Sequence, residues 1–185
     1  MTGDPSAGAA LTTLGLRKRY GARAALDGLD LAVPRGVVYG FLGPNGAGKT
    51  TTLRLLVGLI RPDAGQIEVL GRPYSWRDRR RLFDVGALIE TPAFYPYLSG
   101  RDNLRVVGAS GPPAPTSRVE EVLDFVGMRE RGKDKFKTYS LGMKQRLGIA
   151  AAMLNDPQLL LLDEPANGLD PAGIVSMRET LRYLT

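Results

Sequence analysis

Apolar residues along this chain fall into two textures: runs that alternate with polar residues and runs that do not. Leu11–Tyr20 and Leu29–Val33 predict two short strands, the second alternating and stopped by the turn Pro34-Arg35-Gly36. Val37-Val38-Tyr39-Gly40-Phe41-Leu42 is apolar almost without interruption, the pattern of a parallel strand buried on both faces. Thr51–Ile60 presents a wide apolar face at helical spacing. The turn Arg61-Pro62-Asp63-Ala64-Gly65 leads to a strand at Gln66–Leu70, and a further strand is predicted at Val85–Ile89.

From Pro92 the texture changes. Phe94, Tyr95, Pro96 and Tyr97 lead into a predicted helix at Arg101–Val107, and Gly108–Pro115 is a Gly/Pro-rich loop. Ser117-Arg118-Val119-Glu120 has the spacing of a capping box and opens a helix to Val126. A third helix covers Leu141–Leu154. Pro92–Asp156 therefore reads as a mainly helical insertion between two strands, the second being the apolar run Gln158–Leu162. Asp170-Pro171 places a cap before a proline at the first helical position and opens a last helix through Leu184.

Chemistry enters between the buried run and the first helix. Gly43-Pro44-Asn45-Gly46-Ala47-Gly48-Lys49-Thr50 fits the P-loop pattern, with Thr51 following it. Gly43, Gly46 and Gly48 let the backbone curl so that successive N–H groups face phosphate oxygens. The helix adds the positive end of its dipole. Lys49 reaches the β- and γ-phosphates in this pattern, and the Thr50 hydroxyl ligates Mg²⁺. Downstream, Leu159-Leu160-Leu161-Leu162-Asp163-Glu164-Pro165 is a buried strand ending in adjacent carboxylates. Asp163 is placed to hold Mg²⁺ directly or through water, and Glu164 to accept a proton from an attacking water.

Composition narrows the class. At 185 residues the chain suits one domain. No apolar run approaches the roughly 18 residues that cross a bilayer. Met1 to Ala10 are small and polar, predicting a flexible start without a leader pattern. The absence of cysteine excludes disulfides and cysteine metal sites. These features fit a cytosolic protein. The net charge of +6 suits ATP, nucleic acid or an anionic leaflet. Its densest cluster, Arg77, Arg79, Arg80 and Arg81, reads as a solvated helix start and carries no nucleic-acid claim.

In their order, these motifs resemble the nucleotide-binding domain of ATP-binding cassette (ABC) ATPases over almost the whole chain, Leu11 to Thr185. The resemblance implies an α/β fold: a P-loop NTPase (RecA-like) core with a parallel sheet, a small antiparallel β subdomain and an inserted α-helical subdomain at about residues 92–156. It implies that Tyr20 stacks on adenine. Ser140-Leu141-Gly142-Met143-Lys144-Gln145-Arg146 stands where that family has its signature motif, although Leu141 and Met143 replace the more usual Gly and Gln. Ser140 also reads as an ordinary helix cap. In the family, Ser140 and Gly142 would face the γ-phosphate held by the opposite subunit, so ATP and Mg²⁺ are shared across a homodimer. Asn167-Gly168-Leu169-Asp170 resembles the interface D-loop, with Asp170 also serving as a cap.

Two departures matter. Glu90 stands where the family usually has glutamine, and Ile89-Glu90-Thr91-Pro92-Ala93-Phe94-Tyr95-Pro96 resembles the bacitracin- and lantibiotic-resistance exporter branch. Two like charges at ~4 Å and an effective dielectric near 20 repel by about 4 kcal/mol, so Glu90 must face Mg²⁺ or its water shell rather than bare phosphate. Glu90 would then tie metal occupancy to movement of the helical insertion. The second departure is that the chain contains no histidine, whereas the family's switch histidine follows the last helix seen here. That predicts a polypeptide ending before its final core strand.

The resemblance implies an ATP-hydrolysing exporter subunit linked to drug or peptide-antibiotic resistance. It would drive a separate transmembrane permease from the cytoplasmic face of the membrane, with Phe94–Tyr97 either contacting that partner or packing in the core. No nucleic-acid partner is expected. Two alternatives stand beside it: a nucleotide-binding fragment without catalysis, and a soluble ABC ATPase acting on ribosomes or DNA.

Overall fold

The alternating N-terminal residues pair into an antiparallel sheet. The computed structural model describes residues 8–74, 79–90, 93–113 and 115–183. They group into two units, one up to Leu82 and one from Phe83 to Leu184. Residues 1–7, Arg77, Pro92 and Leu184, which figure in the sequence expectations, lie outside the described residues.

In the first unit, β1 (Ala9–Tyr20) pairs with β2 (Arg23–Pro34) through a two-residue loop. Gly21 opens that loop at φ 57°, a left-handed conformation that glycine adopts without a Cβ penalty. The other edge of β1 pairs with β3 (Ala64–Val69), which pairs with the short β4 (Arg72–Pro73), giving the order β2-β1-β3-β4. β1 starts inside the segment expected to be flexible, and β2 starts six residues before the predicted strand at Leu29. The hairpin ladder carries both extensions.

The P-loop helix, α1, spans Lys49–Leu56 rather than Thr51–Ile60. Gly58 at φ 68° ends it: its N–H donates to Leu55 O (3.1 Å), and the Leu59 N–H donates to Arg54 O (2.9 Å). This is a Schellman motif, which satisfies carbonyls the helix leaves open. Thr52, Leu55 and Leu56 of α1 are buried, as are Leu16, Leu26, Ile67 and Val69 of the sheet.

The strand expected at Val37–Leu42 does not form. Residues 37–42 form irregular backbone, and Val37, Val38, Tyr39 and Leu42 are exposed, Leu42 by 90%. A parallel strand exists only through neighbours on its edges and layers on its faces. The antiparallel sheet and α1 of this unit supply neither to these residues.

In the second unit, β5 (Val85–Leu88) and β6 (Leu159–Leu162) pair in parallel, Val85 opposite Leu159 and Leu88 opposite Leu162. Between them run α2 (Gly100–Gly108), α3 (Arg118–Phe125) and α4 (Leu141–Ala152); α5 (Pro171–Arg182) follows β6. Parallel strands need such a crossover. Leu104, Leu123 and Leu147 have no exposed surface. Each contributes about 2 kcal/mol by burial. Gly86 lets α4 approach β5, since a Cβ there would come within 2.1 Å of Ala152 O.

Polar side chains fix the helices. Asn103, 1% exposed, accepts from Tyr95 N (2.7 Å) and donates to Tyr95 O and Ser99 O (3.0 Å each). Arg118 donates to Met153 O (2.8 Å) and Leu154 O (3.3 Å) at the end of α4. The capping box at Ser117 is not formed: Ser117 makes no side-chain cap, and the Glu120 carboxylate is held by Arg101 in a two-pronged pair. A charge-assisted fork outcompetes a neutral backbone donor. Arg79, Arg80 and Arg81 of the basic cluster begin a short 3-10 helix, Arg79–Asp84.

Candidate active site

In the first unit, Gly46 (φ 82°) and Gly48 (φ 90°) take left-handed backbone within the loop. Gly48 is needed twice over, because a Cβ there would also meet Ala25 O at 2.5 Å and Leu26 Cδ2 at 2.8 Å. The loop closes through Ala47 N–H to Pro44 O (3.2 Å). Lys49 Nζ turns back to donate to Gly43 O (2.8 Å) and Pro44 O (3.2 Å), so its ammonium lies over the loop. Asn45 is exposed, and Thr50 and Thr51 lie half-buried in the first turn of α1. That turn holds no acidic residue, so the helix brings no carboxylate of its own to its positive end. The arrangement suits a polyphosphate. Sequence reasoning missed Arg23, whose Nη2 lies 3.3 Å from where a Gly46 Cβ would be; no local pattern links residue 23 to this loop. Tyr20 is half-exposed at the end of β1, with Lys18 Nζ 5.8 Å from its ring centroid.

In the second unit, the paired strands end together. Asp163 N–H donates to Leu88 O (2.8 Å), so Glu90, Asp163 and Glu164 all follow closely on one end of the β5–β6 pair. Asp163 is half-buried, whereas Glu90 and Glu164 are exposed. Glu164 sits at φ 45°, a left-handed conformation uncommon for a residue with a side chain. Asn167 donates to it twice, N–H to Glu164 O (2.9 Å) and Nδ2 to Oε2 (3.1 Å). The Asn167 contact was also missed, although the residue stood in a quoted motif.

Carboxylate and hydroxyl oxygens are the hard donors that Mg²⁺ takes; Thr50 of the first unit, and Glu90 and Asp163 of the second, each carry that type of oxygen. Among the described residues no three acidic or imidazole groups converge as a protein-only metal cage. Mg²⁺ held by one or two carboxylates plus phosphate oxygens needs none.

The same unit carries Ser140–Arg146, the segment that resembles the signature motif. Ser140 caps α4, its Oγ accepting from Met143 N (3.3 Å), and Asp170 caps α5, accepting from Gly173 N (2.9 Å). Gly142 lies against Leu169, whose Cδ2 is 3.3 Å from a Gly142 Cβ position. The aromatic segment divides its roles. Phe94 packs edge-on to Phe136 (5.1 Å between centroids), while Tyr95 and Tyr97 are exposed.

A family model described as ABC transporter matches residues 26–167. The bacitracin transport ATP-binding protein BcrA of Bacillus licheniformis is 45% identical over 174 residues, 94% of this chain and 57% of that protein. The lantibiotic transport ATP-binding protein SrtF of Streptococcus pyogenes is 45% identical over 170 residues, 90% of this chain and 71% of that protein. Among solved structures, CbiO1 of Clostridium perfringens, part of the ABC transporter complex CbiONQ, superposes with a TM-score of 0.85 at 27% identity, covering 96% of this chain and 74% of that one. The ADP conformation of MJ1267, an ATP-binding cassette of an ABC transporter, gives a TM-score of 0.84 at 23% identity, covering 95% of this chain and 76% of that one; it shows the fold alone. The chain spans a little over half the length of BcrA.

Proposed function

This chain belongs to the ABC transporter family, and we propose that it is the ATP-binding and ATP-hydrolysing subunit of a membrane exporter. The observation that carries the reading is the loop with left-handed Gly46 and Gly48, Lys49 lying over it and an acid-free helix start behind it. Lys49 and the loop amides bind the phosphates, and Tyr20 stacks on the base. Thr50 and Asp163 hold Mg²⁺, which when bound neutralises charge on the β- and γ-phosphates. Glu164 takes the proton of the attacking water, a role worth about 10²–10⁴-fold in rate. Ser140 and Gly142 complete the site of a second copy, so the working form is a homodimer. Glu90 couples Mg²⁺ occupancy to the helices between β5 and β6.

A separate permease subunit is the partner, reached through Tyr95 and Tyr97 on the cytoplasmic face. Among the described residues no helix is long and apolar enough to cross a membrane. Relatives named for bacitracin transport, lantibiotic transport and daunorubicin resistance support an antibiotic or a similar amphiphile as cargo.

Steady-state ATPase assays on the intact protein with its permease test this reading. Glu164→Gln is expected to lower turnover about 10²–10⁴-fold while keeping MgATP binding; native turnover in that variant would refute the base assignment. Glu90→Gln is expected to uncouple hydrolysis from the permease, and unchanged rate and coupling would sink its proposed role.

A further inference from the structure

We infer that Asn167 is a positioning residue that aims the Glu164 carboxylate, an inference resting on Glu164 as the base. Glu164 is exposed and at the tip of a strand, where a free glutamate side chain would move among its rotamers. Here both ends of the residue are held by one neighbour. The Asn167 N–H donates to Glu164 O at 2.9 Å, closing a turn that begins at Glu164, which itself sits at φ 45°. The Asn167 Nδ2 donates to Oε2 at 3.1 Å. That leaves Oε1 as the oxygen available to a water. An asparagine amide presents its donors without a charge, so it orients the carboxylate and leaves it an acceptor.

Asn167 is itself anchored. Gly168, at φ 71°, lies under Leu141 of α4, and Leu169 N–H donates to Ala166 O at 3.3 Å. The chain of contacts runs from the start of α4, through Gly168 and Asn167, to the Glu164 carboxylate. The signature helix therefore helps set the direction in which the base points.

The test is a double-mutant cycle on the intact protein with its permease, reading kcat, KM for MgATP, nucleotide affinity and thermal unfolding. Asn167→Ala is expected to lower kcat about tenfold with KM and affinity within twofold, because only the aim of a reacting group changes. Asn167→Asp, which sets a like charge against Glu164, is expected to lose more. In single-turnover measurements on Glu164→Gln, adding Asn167→Ala is expected to change nothing further. A native kcat in Asn167→Ala overturns the positioning role. So does an equal loss in the Glu164→Gln background, or a raised KM at native kcat. A native kcat in Glu164→Gln alone overturns the base assignment instead, which separates the two failures.

Discussion

Leu141 lies over Gly168 so closely that a methyl group at residue 168 would come within 2.6 Å of Leu141 Cδ2. Leu141 is one of the two residues at which Ser140–Arg146 departs from the motif it resembles. The Leu141 side chain packs on the bare backbone of residue 168, and Gly168 leaves room for it. Gly168 also holds φ 71°, which a residue with a Cβ adopts at a cost of about 1–2 kcal/mol.

Gly168→Ala is therefore expected to destabilise the protein by more than that backbone cost, read as a lowered denaturant midpoint. Adding Leu141→Ala should recover the overlap and leave the backbone penalty. Additive losses in the double variant would show that the two residues do not press on each other.

Asn103 ties the aromatic loop to α2 with three hydrogen bonds from a buried amide. Asn103→Ala is expected to cost about 2–3 kcal/mol, because the partners at Tyr95 and Ser99 lose a buried amide. Hydrogen exchange of the Tyr95 amide should accelerate in the variant. An unchanged Tyr95 exchange rate would mean that the amide does not hold the loop.

The pair between Arg101 and Glu120 predicts an acid dependence. The hydrogen bonds from Arg101 hold the Glu120 carboxyl below its ordinary value of 4.5. A carboxylate whose folded value is depressed adds stability above its unfolded value, and that stability is lost as pH falls through the depressed one. Glu120→Gln should therefore flatten the stability–pH curve on the acid side of that ordinary value. The pair is partly exposed, so the loss at neutral pH should be no more than about 1 kcal/mol.

Local chemistry was legible in the sequence. Ser140 and Asp170 cap their helices through bonds three residues long, and Gly46 and Gly48 take the left-handed backbone of a tight glycine loop. What escaped depends on distant neighbours. Val37–Leu42 has the composition of a buried strand, but a strand forms only where a ladder exists to receive it. Ser117 and Glu120 have capping-box spacing, but Arg101, 19 residues away, takes the carboxylate. The short β4 gives no period to detect, and Arg23 reaches Gly46 only through the fold. The Asn167–Glu164 contact is local, yet it hides behind the left-handed turn at Glu164, which nothing in the residue types announces.

Calorimetric titration of the protein with MgATP, beside Lys49→Ala, is the most direct check on the nucleotide site. Saturable binding that the substitution abolishes is expected, because Lys49 and the loop amides of residues 43–50 bind the phosphates together. Equal binding by native protein and Lys49→Ala, or none by a folded native protein, would contradict the assignment of this loop as the phosphate site.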